Sequence, residues 1–85
     1  MKLHELKTES NHYVNTVLGL KPYEVRFNDR DFQEGDLILS RSFSDGKYTG
    51  SQSLYKIKHI LKDFEGLVDG YVILSLNEVI DRSIT

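Results

Sequence analysis

Pro22 is the only proline in the chain, and it divides a helical pattern from an extended one. Before it, Tyr13, Val14, Val17 and Leu18 recur at i, i+1, i+4 and i+5, which lays one apolar stripe along a helix from Glu9 to Leu18. Thr8 or Ser10 is placed to cap its start, and Gly19 falls where a helix closes on a left-handed residue. Proline lacks the N–H and clashes with the preceding turn, so the helix cannot resume past it. From Tyr23 on the pattern has period two.

That second pattern predicts a series of strands. Residues 2–6 form a short opening strand, with Leu3 and Glu5 on one side and His4 and Leu6 on the other. Tyr23–Asn28 is a strand, followed by a polar connection that holds an apolar anchor at Phe32. Asp36–Phe43 is the next strand, with Leu37 and Leu39 facing one way. Ser44-Asp45-Gly46-Lys47 signals a hairpin, because Asp-Gly supplies the positive φ of a tight turn. The returning strand covers part of Tyr48–Leu61, where Tyr55, Ile57 and Leu61 alternate with lysines, and His59 and Ile60 blur the alternation. Lys62–Gly70 is a loop holding Phe64 and Leu67, and Tyr71–Leu76 is an apolar run that suits a buried strand. Residues 1–77 make the domain, and residues 78–85 are a weakly patterned tail that forms a partial helix or frays. The expected fold is α+β: an open β-barrel of about five mostly antiparallel strands, plugged by one N-terminal helix.

Composition narrows the function. Eighty-five residues make one small domain, and the absence of cysteine leaves neither disulfides nor thiolate metal sites. The start lacks the apolar stretch of a secretory signal, and no run approaches a membrane span, so a soluble cytoplasmic domain without membrane contact is expected. Eleven basic residues against thirteen acidic ones, a formal charge of −2, argue against gripping long nucleic acid through many phosphates. Any nucleic-acid role must rest on a local patch or on a ligand as small as a nucleotide. His4, His12 and His59 stand singly, so no metal and no cofactor is expected. There is no phosphate-cradling glycine loop and no Ser or Cys nucleophile motif.

The octapeptide Gly19-Leu20-Lys21-Pro22-Tyr23-Glu24-Val25-Arg26 carries the chemistry. Strand alternation sends Glu24, Arg26 and Asn28 to one face and Tyr23, Val25 and Phe27 to the other, where they fit a core. Lys21 follows a helix C-terminus, whose dipole favours a cation, and Glu24 can pair with Lys21 or Arg26. Against a nucleobase, Glu24 accepts from an exocyclic amine while Lys21 or Arg26 donates to a carbonyl or phosphate, with Asn28 adding amide bonds. The same charges on an exposed strand are otherwise a solvated face with weak ion pairs.

These residues resemble a known family. The octapeptide is similar to the Gly-x-Lys-x-x-Glu-x-Arg signature of the ASCH domain in the PUA-like superfamily. The likeness extends through Asn28-Asp29-Arg30-Asp31-Phe32, Glu34-Gly35-Asp36 and Gly70–Leu76, nearly the whole chain, and points to small bacterial and phage ASCH-like proteins. The resemblance implies a PUA-like barrel with a cleft beside the first helix, which binds RNA or a modified nucleotide or nucleoside. It also implies an alternative, since a few small ASCH proteins are nucleoside amidohydrolases. In those a threonine stands where Glu24 stands here, so an enzyme would have to use Lys21 and Glu24 to activate water on an acylated base.

Other residues have two readings each. Arg30 lies over a phosphate, or Asn28–Asp31 is a turn in which Asn and Asp bond their own backbone. Glu34-Gly35-Asp36 is turn chemistry. His4 reaches the cleft from the first strand, or is a packed partner. Lys56, Lys58 and Lys62 with Tyr55 are an RNA-facing edge with an aromatic platform, or the wet face of an exposed strand. A protein-interaction domain with an empty cleft is the remaining reading. A polar Tyr23–Asn28 face lining a concavity favours a ligand, and a flat one favours an interaction surface.

Overall fold

A computed structural model describes residues 1–79. Strand β1 (Leu3–Glu9) runs without a loop into helix α1 (Ser10–Val17), followed by β2 (Tyr23–Phe27), β3 (Leu37–Ser44), β4 (Lys47–Leu61) and β5 (Tyr71–Glu78). The five strands form one sheet in the order β1-β3-β4-β5-β2. Only β1 and β3 pair in parallel; β3–β4, β4–β5 and β2–β5 are antiparallel. The sheet curls into an open half-barrel whose two edge strands, β1 and β2, face each other across a seam.

Chain order forces that curl. The chain leaves edge β1 through α1 to reach the far edge β2, then returns through Asn28–Asp36 to lay β3 beside β1. Both crossings are short, so they draw the edges together. Helix α1 covers one mouth, and Phe32, fully buried, plugs the interior from the returning connection. The anchor expected at Phe32 is therefore present. Around it pack Leu6, Ile38, Tyr55, Ile57, Val72, Leu74 and Leu76.

The helix ends as its residues require. Leu20 N–H donates to Asn15 O at 2.9 Å and Gly19 N–H to Thr16 O at 3.1 Å, with Gly19 at φ +79°, which is a Schellman closure. Its start differs from expectation. Thr8 belongs to β1 and its hydroxyl meets that of Ser40 at 2.7 Å, so the N-cap is Glu9 with no side-chain cap. The apolar stripe is also displaced. Tyr13 and Thr16 point inward, while Val14, Val17 and Leu18 are exposed, because so short a helix lying across a barrel mouth turns only one narrow line inward.

Strand β2 turns inward the face opposite to the expected one, while on β3 Leu37 and Leu39 share one side as expected. On β2 the buried position is Glu24, paired in register with Leu74, and Arg26 pairs with Val72; Tyr23, Val25 and Phe27 face outward. A one-residue difference in register exchanges every side chain of a strand between faces, and here β5 has already filled the core opposite. On β3 the inward residues are Ile38, Ser40 and Ser42, with Leu37 and Leu39 half-buried on the outer side. The blurred alternation in β4 is a bulge at Lys58, between the pairs Ile57–Leu76 and His59–Ser75. Past it Ile60, rather than Leu61, returns to the core side. The Asp45-Gly46 turn is present, with both residues at positive φ. Strand β5 takes in Glu78, and Val79 N–H donates to Leu54 O at 2.9 Å, which shortens the expected tail; residues 80–85 lie outside the described residues.

His4 is locked in the interior. Its Nε2 donates to Asp36 Oδ2 at 2.8 Å, and its ring meets Phe32 edge-on at 4.7 Å. Lys2 N–H and Gln33 N–H each donate to the same carboxylate at 3.0 Å. Burial alone would raise the Asp36 pKa, but these three donors outweigh it and lower it from 3.8 to about 2. A depressed carboxyl stabilises the fold above its unfolded pKa, and that stability is lost as pH falls through the folded one. Acid unfolding of wild type should therefore include a step between pH 3.8 and about 2 that Asp36→Asn lacks. Parallel stability-against-pH curves for the two proteins would contradict this.

Candidate functional site

The polar face of β2 lines a concavity. A cleft of about 300 Å³ opens at the helix-covered mouth, between the end of β1 and the start of β2. One wall comes from Lys21, Glu24 and Arg26; the other from Lys7, Thr8 and Glu9, with His12 of α1 at its top. The octapeptide thus supplies half the site, and the β1–α1 junction supplies the half that sequence reasoning missed.

Glu24 is the buried element, with 5 % of its surface exposed. Among the described residues its carboxylate accepts only from Arg26 Nε, at 3.3 Å to Oε2, which leaves Oε1 without a protein donor. Arg26 Nη2 donates to Lys7 O at 2.8 Å and approaches Thr8 Oγ1 at 3.5 Å, and Nη1 makes no hydrogen bond among the described residues. Lys21 makes no ion pair among the described residues; its amine sits 5.3 Å from the centre of the Tyr23 ring. Of the two partners open to Glu24, Lys21 and Arg26, it takes Arg26. The cleft therefore holds an acceptor and two cationic donors with free valence.

Behind the cleft the interior is polar. Thr8 and Ser40 share a hydrogen bond, Tyr13 and Ser53 hydroxyls meet at 2.8 Å, and Ser42 is buried nearby on β3. The Tyr55 hydroxyl is buried with no hydrogen-bond partner among the described residues. Burial pushes its phenol up, the neighbouring Ser53 hydroxyl opposes this, and the fields of Glu78, Tyr13 and Glu24 add to the rise.

The remaining sequence candidates lie elsewhere. Arg30 Nη1 donates to Glu5 O at 2.8 Å and, with Arg26, bridges the seam between β2 and β1. Asn28 Oδ1 accepts from Phe32 N–H at 3.0 Å, which is the turn reading of that segment, and its side chain faces grooves shared with Lys62 instead of the cleft. His4 belongs to the Asp36 cluster and does not line the cleft. Lys7, Thr8 and Glu9 carry no local signal of their own. Only the β1–β3 pairing and the seam bring them opposite Glu24; the expected strand stopped at Leu6, and the observed β1, running on to Glu9, puts Thr8 on the inner face with His4 and Leu6. Among the described residues no three His, Asp or Glu side chains group to hold a metal, and no helix is long and apolar enough to cross a membrane.

Fold and cleft together define an α+β half-barrel domain with a charged mouth. The chain belongs to the family described as Domain of unknown function (DUF3850), whose model matches residues 3–76, from the first strand into the last. It is similar to the "Uncharacterized 12.9 kDa protein in GpA 3'region" of Escherichia phage P2, at 27% identity over 73 residues. That match covers 86% of this chain and 66% of the phage protein, so the chain spans about two thirds of that relative's length.

The seam makes a quantitative expectation. Arg26→Ala removes the donors to Lys7 O and strands the Glu24 carboxylate, and should cost about 1.5–3 kcal/mol; Arg30→Ala, with one bond to Glu5 O, should cost about 1 kcal/mol. Urea titration measures both. Wild-type stability in the two variants would show that other contacts hold the edges together.

Proposed function

We propose that this is an ASCH-like, PUA-like cytoplasmic domain that binds RNA or a modified nucleotide or nucleoside in the cleft beside α1. The observation that carries the reading is Glu24: a largely buried carboxylate whose Oε1 has no protein donor among the described residues, in a cleft that Lys21 and Arg26 also line. Burying a charge is costly unless it gains partners, and Arg26 supplies only one long bond. A ligand donor completes the set. A nucleobase offers that donor in an exocyclic amine, and its neighbouring carbonyl or phosphate suits Lys21 and Arg26 Nη1. His12, at the opposite wall, offers a further polar contact toward a sugar-phosphate.

A hydrolytic reading asks for Lys21 and Glu24 to work as a pair on water. Glu24 bonds to Arg26 instead and Lys21 lies over Tyr23, so the binding reading has the better support.

The test is an NMR titration of the domain against free and modified nucleosides, nucleotides and short RNAs, with chromatography of each ligand afterwards. Saturable shifts at Lys21, Glu24, Arg26 and His12 with an unchanged ligand are expected. Glu24→Gln or Lys21→Ala should each weaken binding about tenfold or more, the worth of one hydrogen bond to a charged group. Wild-type affinity in both, with the fold intact, would sink the cleft assignment. Release of an acyl group from a modified base would move the reading to amidohydrolase.

A further inference from the structure

The outward face of β2 was expected in the core, and the structure leaves it uncovered. Tyr23, Val25 and Phe27 are 41, 47 and 54% exposed, and Tyr71 beside them on β5 is 40% exposed. Strand registers set these residues on a grid. One row reads His59–Ser75–Tyr23, the next Leu61–Ile73–Val25, and the last Tyr71–Phe27; Lys56 and Asn77 begin the grid on the other side. Single exposed apolar residues are ordinary on a protein surface, but a contiguous patch over three strands is not.

Charge decides what covers it. No carboxylate occupies an outward position on these rows. Lys56 lies on the face, Lys58 stands in the adjoining bulge, and the Lys21 amine sits over the Tyr23 ring at 5.3 Å. The nearby acids, Asp29, Asp63, Glu65 and Asp69, gather past the Tyr71–Phe27 end, in the connections that follow β2 and β4. A face of exposed rings with cations at one end and no anion among them matches a single strand of nucleic acid. Bases stack on the rings whatever their identity, and phosphates take the lysines. The Tyr23 row and the Tyr71–Phe27 row are four residues apart along β2, about 13 Å, which spans two steps of an extended single strand, and the Phe27 and Tyr71 rings meet edge to face at 5.5 Å within their row.

We propose that the outer face of β2, β5 and β4 is a stacking platform for single-stranded nucleic acid, with Tyr23, Phe27 and Tyr71 as base-stacking rings and Lys56 and Lys58 as phosphate partners. It lies on the outside of the half-barrel and does not depend on the cleft being a ligand site. It gives the apolar face and the lysine stripe one shared role. The formal charge of −2 restricts the contact to this patch and keeps the site short.

Fluorescence anisotropy with a labelled oligouridylate of about ten nucleotides, within the roughly 4–16 that a small β domain spans, tests the platform. Wild type should bind saturably and more weakly as salt rises. Tyr71→Leu, which removes a ring and keeps an apolar contact, should weaken binding about fivefold or more. Lys56→Gln, an exposed change that spares the fold, should reduce the slope of log affinity against log salt by about 0.7, the share of one single-strand phosphate. Neither residue lines the cleft, so nucleoside titrations report on the cleft separately. Unchanged affinity and slope in both variants, or no saturable binding of this or the other homopolymers by wild type, overturns the proposal. Sedimentation showing a dimer that Tyr71→Leu dissociates would also overturn it, and assign the face to a second copy of the chain.

Discussion

Two arginine side chains do what a ladder of backbone bonds would do in a closed barrel. Strands β1 and β2 end the sheet at opposite edges, and no strand pairing joins them. Arg26 and Arg30 span the gap instead, each donating to a carbonyl of β1, Lys7 O and Glu5 O, spaced by the two-residue repeat of a strand. Everything at the mouth depends on this. The seam sets the distance between the Glu24 wall and the Thr8 wall, and so the width of the cleft. It also satisfies edge carbonyls that would otherwise invite another strand.

Arg26 belongs to both structure and site. Its Nε and Nη2 are committed to Glu24 and to β1, while Nη1 makes no hydrogen bond among the described residues. A planar guanidinium permits this division because its five donors are fixed in different directions. Lysine at the same position would have to choose one task. The polar interior behind it, with Thr8, Ser40, Tyr13 and Ser53 bonded in pairs, carries the polarity of the cleft inward to meet the apolar core around Phe32.

Much of this was legible in the sequence, for reasons that differ by residue. Gly19, Pro22 and Asp45-Gly46 act through their own backbone preferences, so the helix end and the hairpin could be placed without tertiary knowledge. Phe32 stood out as the one large apolar residue in a polar connection. Glu24 and Arg26 were found as a pair on one face, but which face turned inward was misjudged. Alternation sorts side chains into two sets and does not say which set meets the core; on an edge strand beside a polar mouth, the charged set did. Arg30 and His4 were read as site residues because their side chains suit ligands. Their partners, Glu5 O and Asp36, come from strands paired only in three dimensions, and no local pattern announces that. The same holds for Lys7, Thr8, Glu9 and His12, whose place in the cleft follows from the seam alone.

The strand order has a further consequence for how the chain comes together. As the protein is synthesised, β1 emerges long before β3, its only neighbour, and Tyr23 of β2 waits for Ser75 near the far end. The β3–β4–β5 meander is the only part of the sheet built from consecutive neighbours. The two walls of the cleft are therefore made early and wait for strands that come later. Loop closure over such separations slows folding compared with a chain of local contacts. The octapeptide wall is completed only by β5, late in the chain, and the opposite wall by β3 in its middle.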